Sequence, residues 1–145
     1  MSFSKSVLSL LSIVLAIALV GCSENEKSEK ITVDQVIASF KTANLEVENT
    51  KEMEKQDYGT APMTAKSGVR FFIPSLGKEA GGRILTFESI DDLEKTKMFY
   101  EEAGKNSATF FSWIFVKNNI LVQINGELPE DKAKLYKAAL NSVAK

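Results

Sequence analysis

The segment 109–125, TFFSWIFVKNNILVQIN, limits the fold more than any other part of the chain. Two runs of aromatic and β-branched residues flank Asn118-Asn119, and asparagine tolerates the positive φ of a tight two-residue hairpin turn. A two-residue loop sets Lys117 opposite Ile120. Phe115 then pairs with Val122, Trp113 with Ile124, and Phe111 falls opposite Gly126. These residues share one face, uninterrupted and aromatic, which is expected to be the core face. The other face carries Phe110, Ser112, Ile114 and Val116 beside Leu121, Gln123 and Asn125.

The rest of the chain supplies elements to pack on this hairpin. Thr32 and Gln35 have the spacing of a capping box for a helix over 33–43, where Val33, Val36, Ile37 and Phe40 recur at helical intervals. Alternation over 45–49 suggests a first short strand. Residues 50–67 are polar, hold Gly59 and Pro62 and have no period; a loop of that length is either functional or poorly ordered. Residues 69–73 read as a second strand stopped by Pro74, 76–82 as a glycine-rich turn, and 83–87 as a third strand. Asp91 is expected to cap a helix to Ala103, with Glu94 at the box position, Gly104 as its stop, and Leu93, Thr96, Tyr100 and Ala103 inside. Pro129 opens a last helix with a stripe of Leu135, Tyr136, Ala139, Leu140 and Val143. Short connections favour antiparallel neighbours. The expected class is therefore α+β: a twisted, mostly antiparallel sheet of four or five strands with three helices, mainly on one face.

The N-terminus reads as an address. Lys5 precedes an apolar stretch, 7–20, broken only by Ser9 and Ser12. It is short of the roughly 20 residues that span a bilayer, and fits the apolar region of a signal peptide. It ends in Leu19-Val20-Gly21-Cys22, followed by the polar run SENEKSEK. All four positions resemble the bacterial lipobox. That resemblance implies cleavage between Gly21 and Cys22 and a thioether link from Cys22 to diacylglycerol, a reaction that needs a thiol. Two acyl chains hold a protein stably where a single chain does not. The implied organisation is a signal peptide over 1–21, a lipidated cysteine and flexible tether over 22–30, and one α+β domain over 31–145, on the extracytoplasmic face of the cell membrane. The segments GVRFFIPSLG, GGRILTF and FFSWIFVKNNILVQINGELP further resemble small lipoproteins of Gram-positive bacteria, a likeness that brings no activity, ligand or catalytic residue.

Composition narrows the chemistry. Eighteen basic against nineteen acidic side chains give no electrostatic reason to expect nucleic acid. With no histidine there is no Ser-His-Asp or Cys-His catalysis, and one cysteine makes no internal disulfide. Ser75 and Lys78 match S-x-x-K, but Pro74 and Gly77 oppose the helix that motif needs, so the segment reads as a turn. The glycine-rich run 77–83 lacks the order of a phosphate loop and precedes a strand, leaving Lys78 and Arg83 a minor role in anion contact. Asp91, Asp92 and Glu94 lack the spacing of a calcium loop and suit a helix N-terminus. No catalytic residue, metal ligand or cofactor is expected.

Two functional expectations follow. A non-catalytic binding domain at the cell envelope needs a concave pocket for a small ligand. A protein-interaction or structural accessory module, such as an envelope complex subunit or surface modulator, needs an exposed apolar face. Phe110, Ile114, Val116 and Leu121 form such a patch if no second layer covers them. A deep pocket under the 50–67 loop favours the first expectation, and a flat apolar sheet face the second.

Overall fold

The computed structural model describes residues 30–144. The capping box forms as its spacing requires: the Thr32 hydroxyl accepts the Gln35 N–H at 3.2 Å, and the Gln35 side chain accepts the Thr32 N–H at 2.8 Å. It starts α1, Val33–Thr42, which buries Val36 and Phe40. β1 is Glu48–Glu52, later in the chain than the alternation predicts, and exposed throughout. Leu45 and Val47 join the core instead of leading the strand. Asn49, at φ 45°, sits at the irregularity in the β1–β2 register. β2 is Ser67–Phe72 and β3 is Gly81–Thr86, with a 3₁₀ turn, Pro74–Leu76, between them. α2, Ile90–Asn106, leads through a 3₁₀ turn, Ala108–Phe110, to β4, Ser112–Lys117. β5, Ile120–Asn125, and α3, Glu130–Ser142, complete the chain.

The five strands form one sheet in the order β1-β2-β3-β5-β4, every neighbouring pair antiparallel. The hairpin register is the expected one: Lys117 faces Ile120, Phe115 faces Val122 and Trp113 faces Ile124. Of the two turn asparagines only Asn118 takes positive φ, at 50°. Asn119 is buried and does something else. Its side chain accepts the Ile31 N–H at 2.7 Å and donates to the Ile31 carbonyl at 3.0 Å, fastening the start of the domain to the hairpin turn. Lys30 and Lys66 both pair with Glu88 beside it.

Both faces of the sheet are covered. On one, Phe71, Ile84, Val122 and Ile124 meet Val36 and Phe40 of α1 and Tyr136 and Leu140 of α3. Phe40 packs edge-on to Tyr136 with ring centroids 5.1 Å apart. On the other, Leu85 and Leu121 meet Leu93 and Tyr100 of α2, with Met53, Tyr58, Ala61 and Ala65 from the segment after β1. The expected α+β class thus stands, with two helices on one face and the third on the other. The reason is legible in β5, where Ile120-Leu121-Val122 does not alternate. A strand apolar on both sides must be covered on both.

Several local expectations change. Ser89, not Asp91, caps α2, accepting the Asp92 N–H at 3.4 Å. The helix runs through Gly104 to Asn106. Gly104 serves close packing instead: a Cβ there would lie 3.2 Å from the Phe111 Cα. Residues 109–111 leave the strand for the turn that carries the chain from α2 to the sheet edge, and Phe111 is 42% exposed against an expected core position. Leu135 is also exposed, because α3 buries Ala133, Tyr136, Ala139 and Leu140 at three- and four-residue spacing and Leu135 falls beside that stripe.

Candidate functional site

A cleft of about 620 Å³ opens on the α2 side of the sheet. Strand residues make its floor: Arg70 of β2, Gly81 and Arg83 of β3, Gln123 of β5 and Ser112 of β4. Phe99, Tyr100 and Ala103 of α2 form one wall. Tyr58, Gly59 and Thr60, at the end of a 3₁₀ turn, Lys55–Tyr58, form another. Thr109, Phe110 and Phe111 make the lip. The aperiodic loop is therefore ordered and structural here. Its Met53, Tyr58, Ala61 and Ala65 pack on the second core, and its polar residues border the cleft.

Strand alternation explains the floor. Leu85 and Leu121 point to α2, so Arg83 and Gln123, two residues away on the same strands, point there too. They lie directly opposite each other in the β3–β5 ladder. Arg83 Nη1 donates to Gln123 Oε1 at 2.7 Å, and Gln123 Nε2 donates to Ser112 Oγ at 2.8 Å. On the other side Arg83 Nε donates to the Asp57 carbonyl at 3.1 Å. A line of hydrogen bonds thus crosses the floor from the loop to the β4 edge.

Asp57 fixes the loop end of that line. Its carboxylate accepts the Glu54 N–H at 2.8 Å and Arg70 Nη1 at 3.0 Å, with Lys51 Nζ at 3.7 Å. The Glu54 N–H holds its pKa below the ordinary carboxylate value; burial opposes the shift, and Arg70 and Lys51 add to it. Arg70 also lies over the Phe72 ring, 5.1 Å from the centroid. The Tyr100 phenol is pushed up in pKa by burial, against the opposing charge of Arg83. Burial likewise raises Tyr58, with Asp57 adding to it.

The residues singled out from sequence scatter. Gly21 and Cys22 lie outside the described residues. Phe110, 65% exposed, stands on the lip of the cleft, and Val116 is 37% exposed. Leu121 is wholly buried and Ile114 packs beside it in the second core, so the four do not make an open apolar face. The expected patch fails because α2 supplies the second layer. Ser75 is engaged with Glu46 and does not border the cleft, nor does Lys78. Asp92 pairs with Lys95 and Glu94 with Lys97 on α2. Arg83 alone of the basic turn reaches the cleft. Among the described residues no group of three His, Cys, Asp or Glu side chains could hold a metal ion, and no helix is long and apolar enough to cross a membrane.

Sequence reasoning missed Asp57, Tyr58, Arg70 and Gln123. The only local signal was the spacing of Glu54 and Asp57, which suits a capped turn. Comparison with protein-family models, with curated proteins and with solved structures found no match for this chain.

Proposed function

We propose that the protein is a non-catalytic binding domain of the cell envelope, carried by a lipidated Cys22 on the extracytoplasmic face of the membrane, and that it holds a small ligand in the cleft beneath α2. The cleft carries this reading. Its volume of about 620 Å³ falls within the roughly 300–1,000 Å³ of small-molecule sites, and it joins aromatic walls to a few convergent polar groups. Tyr58, Gly59 and Thr60 of the segment after β1 make one of its walls. The anchor rests on the lipobox resemblance of Leu19-Val20-Gly21-Cys22. The near balance of charge supports no nucleic-acid partner. The competing interaction-module reading loses its surface with the burial of Leu121.

Filling the cleft tests the reading. Ala103 borders it from α2 and is half-buried, so Ala103→Trp projects an indole into the cavity. In a thermal-shift screen of small organic fragments, a set of fragments should raise the melting temperature of the full-length chain and fail to raise that of Ala103→Trp. An empty screen, or the same set in both proteins, removes the cleft as the binding site.

A further inference from the structure

Arg83 differs from the other cation on the cleft floor. Arg70 is matched by the Asp57 carboxylate. Arg83 has no carboxylate within ion-pair distance among the described residues. Its Nε and Nη1 are held by the Asp57 carbonyl and the Gln123 amide oxygen. These neutral acceptors orient the guanidinium without cancelling its charge, and among the described residues Nη2 has no acceptor. Tyr100 supplies a second, independent observation. It is only 9% exposed, yet among the described residues its hydroxyl has no acceptor. No fully buried polar side-chain atom of the described residues lacks a partner, so this hydroxyl keeps access to solvent, and Tyr100 borders the cleft. A nearly buried phenol beside an unmatched guanidinium is a donor set waiting for an acceptor.

We propose that the cleft recognises a small monoanionic carboxylate with an apolar body, Arg83 taking its charge and Tyr100 donating to it; this rests on the reading of the cleft as a ligand site. An ionised carboxylate only accepts hydrogen bonds, which suits a floor of guanidinium and phenol donors. One unmatched positive charge balances one negative charge, whereas a phosphate dianion would bring two. The body of the ligand lies against Phe99, Ala103 and Phe110, and covers the aromatic ring that the lip leaves exposed. Glu79 also borders the cleft, exposed and without an ion-pair partner among the described residues. It faces the same space as a competing anion, so its charge weakens the binding of a carboxylate.

Matched probes separate the ligand class from the site. The full-length chain in lipid nanodiscs is titrated calorimetrically with 3-phenylpropionate and 2-naphthoate and with the corresponding carboxamides, against empty discs. Each acid should bind at least about tenfold more tightly than its amide. Tyr100→Phe should weaken the acids about fivefold with little effect on the amides; it removes only a hydroxyl that has no partner among the described residues, so the fold is retained. Glu79→Gln should tighten the acids. Arg83→Gln should abolish the preference for acid over amide. Amides binding as tightly as acids would overturn the ligand class and leave the cleft as a site. Acid preference persisting in both Tyr100→Phe and Arg83→Gln would place the anion elsewhere and overturn the assignment. Binding of neither series would overturn the assignment together with the cleft reading.

Discussion

The Asp57 side chain is 4% exposed in a segment without any hydrophobic period, and its two ends act on different parts of the cleft. The carboxylate ties Glu54 and Arg70 to the turn, and the backbone carbonyl sets the angle of Arg83. Glu88 plays a comparable part at the start of the domain, between Lys30 and Lys66. The bond from Lys30, then that from Lys66, lowers its pKa from an ordinary 4.5 to about 2. A carboxylate whose folded value lies below its unfolded one adds stability that is fully present above the unfolded value and is lost as pH falls toward the folded one. Glu88→Gln should therefore lower the melting temperature at neutral pH, and the gap from the parent should close between about 4.5 and about 2. All three side chains are at least half exposed, so added salt should shrink the gap as well. A gap that is constant with pH would show that the clamp contributes nothing through its charge.

At the level of elements, the turn that forms the cleft lip is gripped by two glycines. A Cβ at Gly126 would lie 2.3 Å from the Phe111 carbonyl oxygen, and Gly104 of α2 meets the same residue from the other side. Gly126→Ala should lower unfolding stability by about 2 kcal/mol, read from a denaturant midpoint, because a backbone cannot yield as a side chain does. Gly59→Ala is the control. It has nothing within 4 Å of the added Cβ, so whatever it loses is backbone strain from φ +58°, ψ −117°, about 1–3 kcal/mol. An unchanged midpoint for Gly126→Ala would mean that the close approach at Phe111 carries no energy. The hairpin and its register were readable from sequence because a two-residue turn fixes every pairing that follows. α1 was readable because its cap and its period agree. The reach of α2 was not, since a glycine near a helix end looks the same whether it stops the helix or admits a neighbour. The cleft was only partly readable. Arg83 stood out as a cation in a glycine-rich turn, whereas Asp57, Tyr58 and Gln123 meet it through strand alternation and loop folding, which leave no local pattern.

For the whole molecule, the proposed anchor has a direct test. Cys22→Ser should lose labelling by radioactive palmitate and leave the membrane fraction, while keeping the melting temperature of the parent. Labelling that persists would sink the anchor and with it the envelope setting. If the anchor is Cys22, the lock between Asn119 and Ile31 decides from which end of the domain the tether leaves. Asn119 sits at the start of β5, and Gln123 and Asn125, which border the cleft, sit near its end. At about 3.4 Å per residue the strand carries the cleft roughly 14–20 Å from the point where the chain enters. The tethering point and the mouth thus occupy opposite ends of the sheet. An anchor at the first end leaves the second unobstructed, while the flexible tether lets the domain turn to meet a ligand from either side.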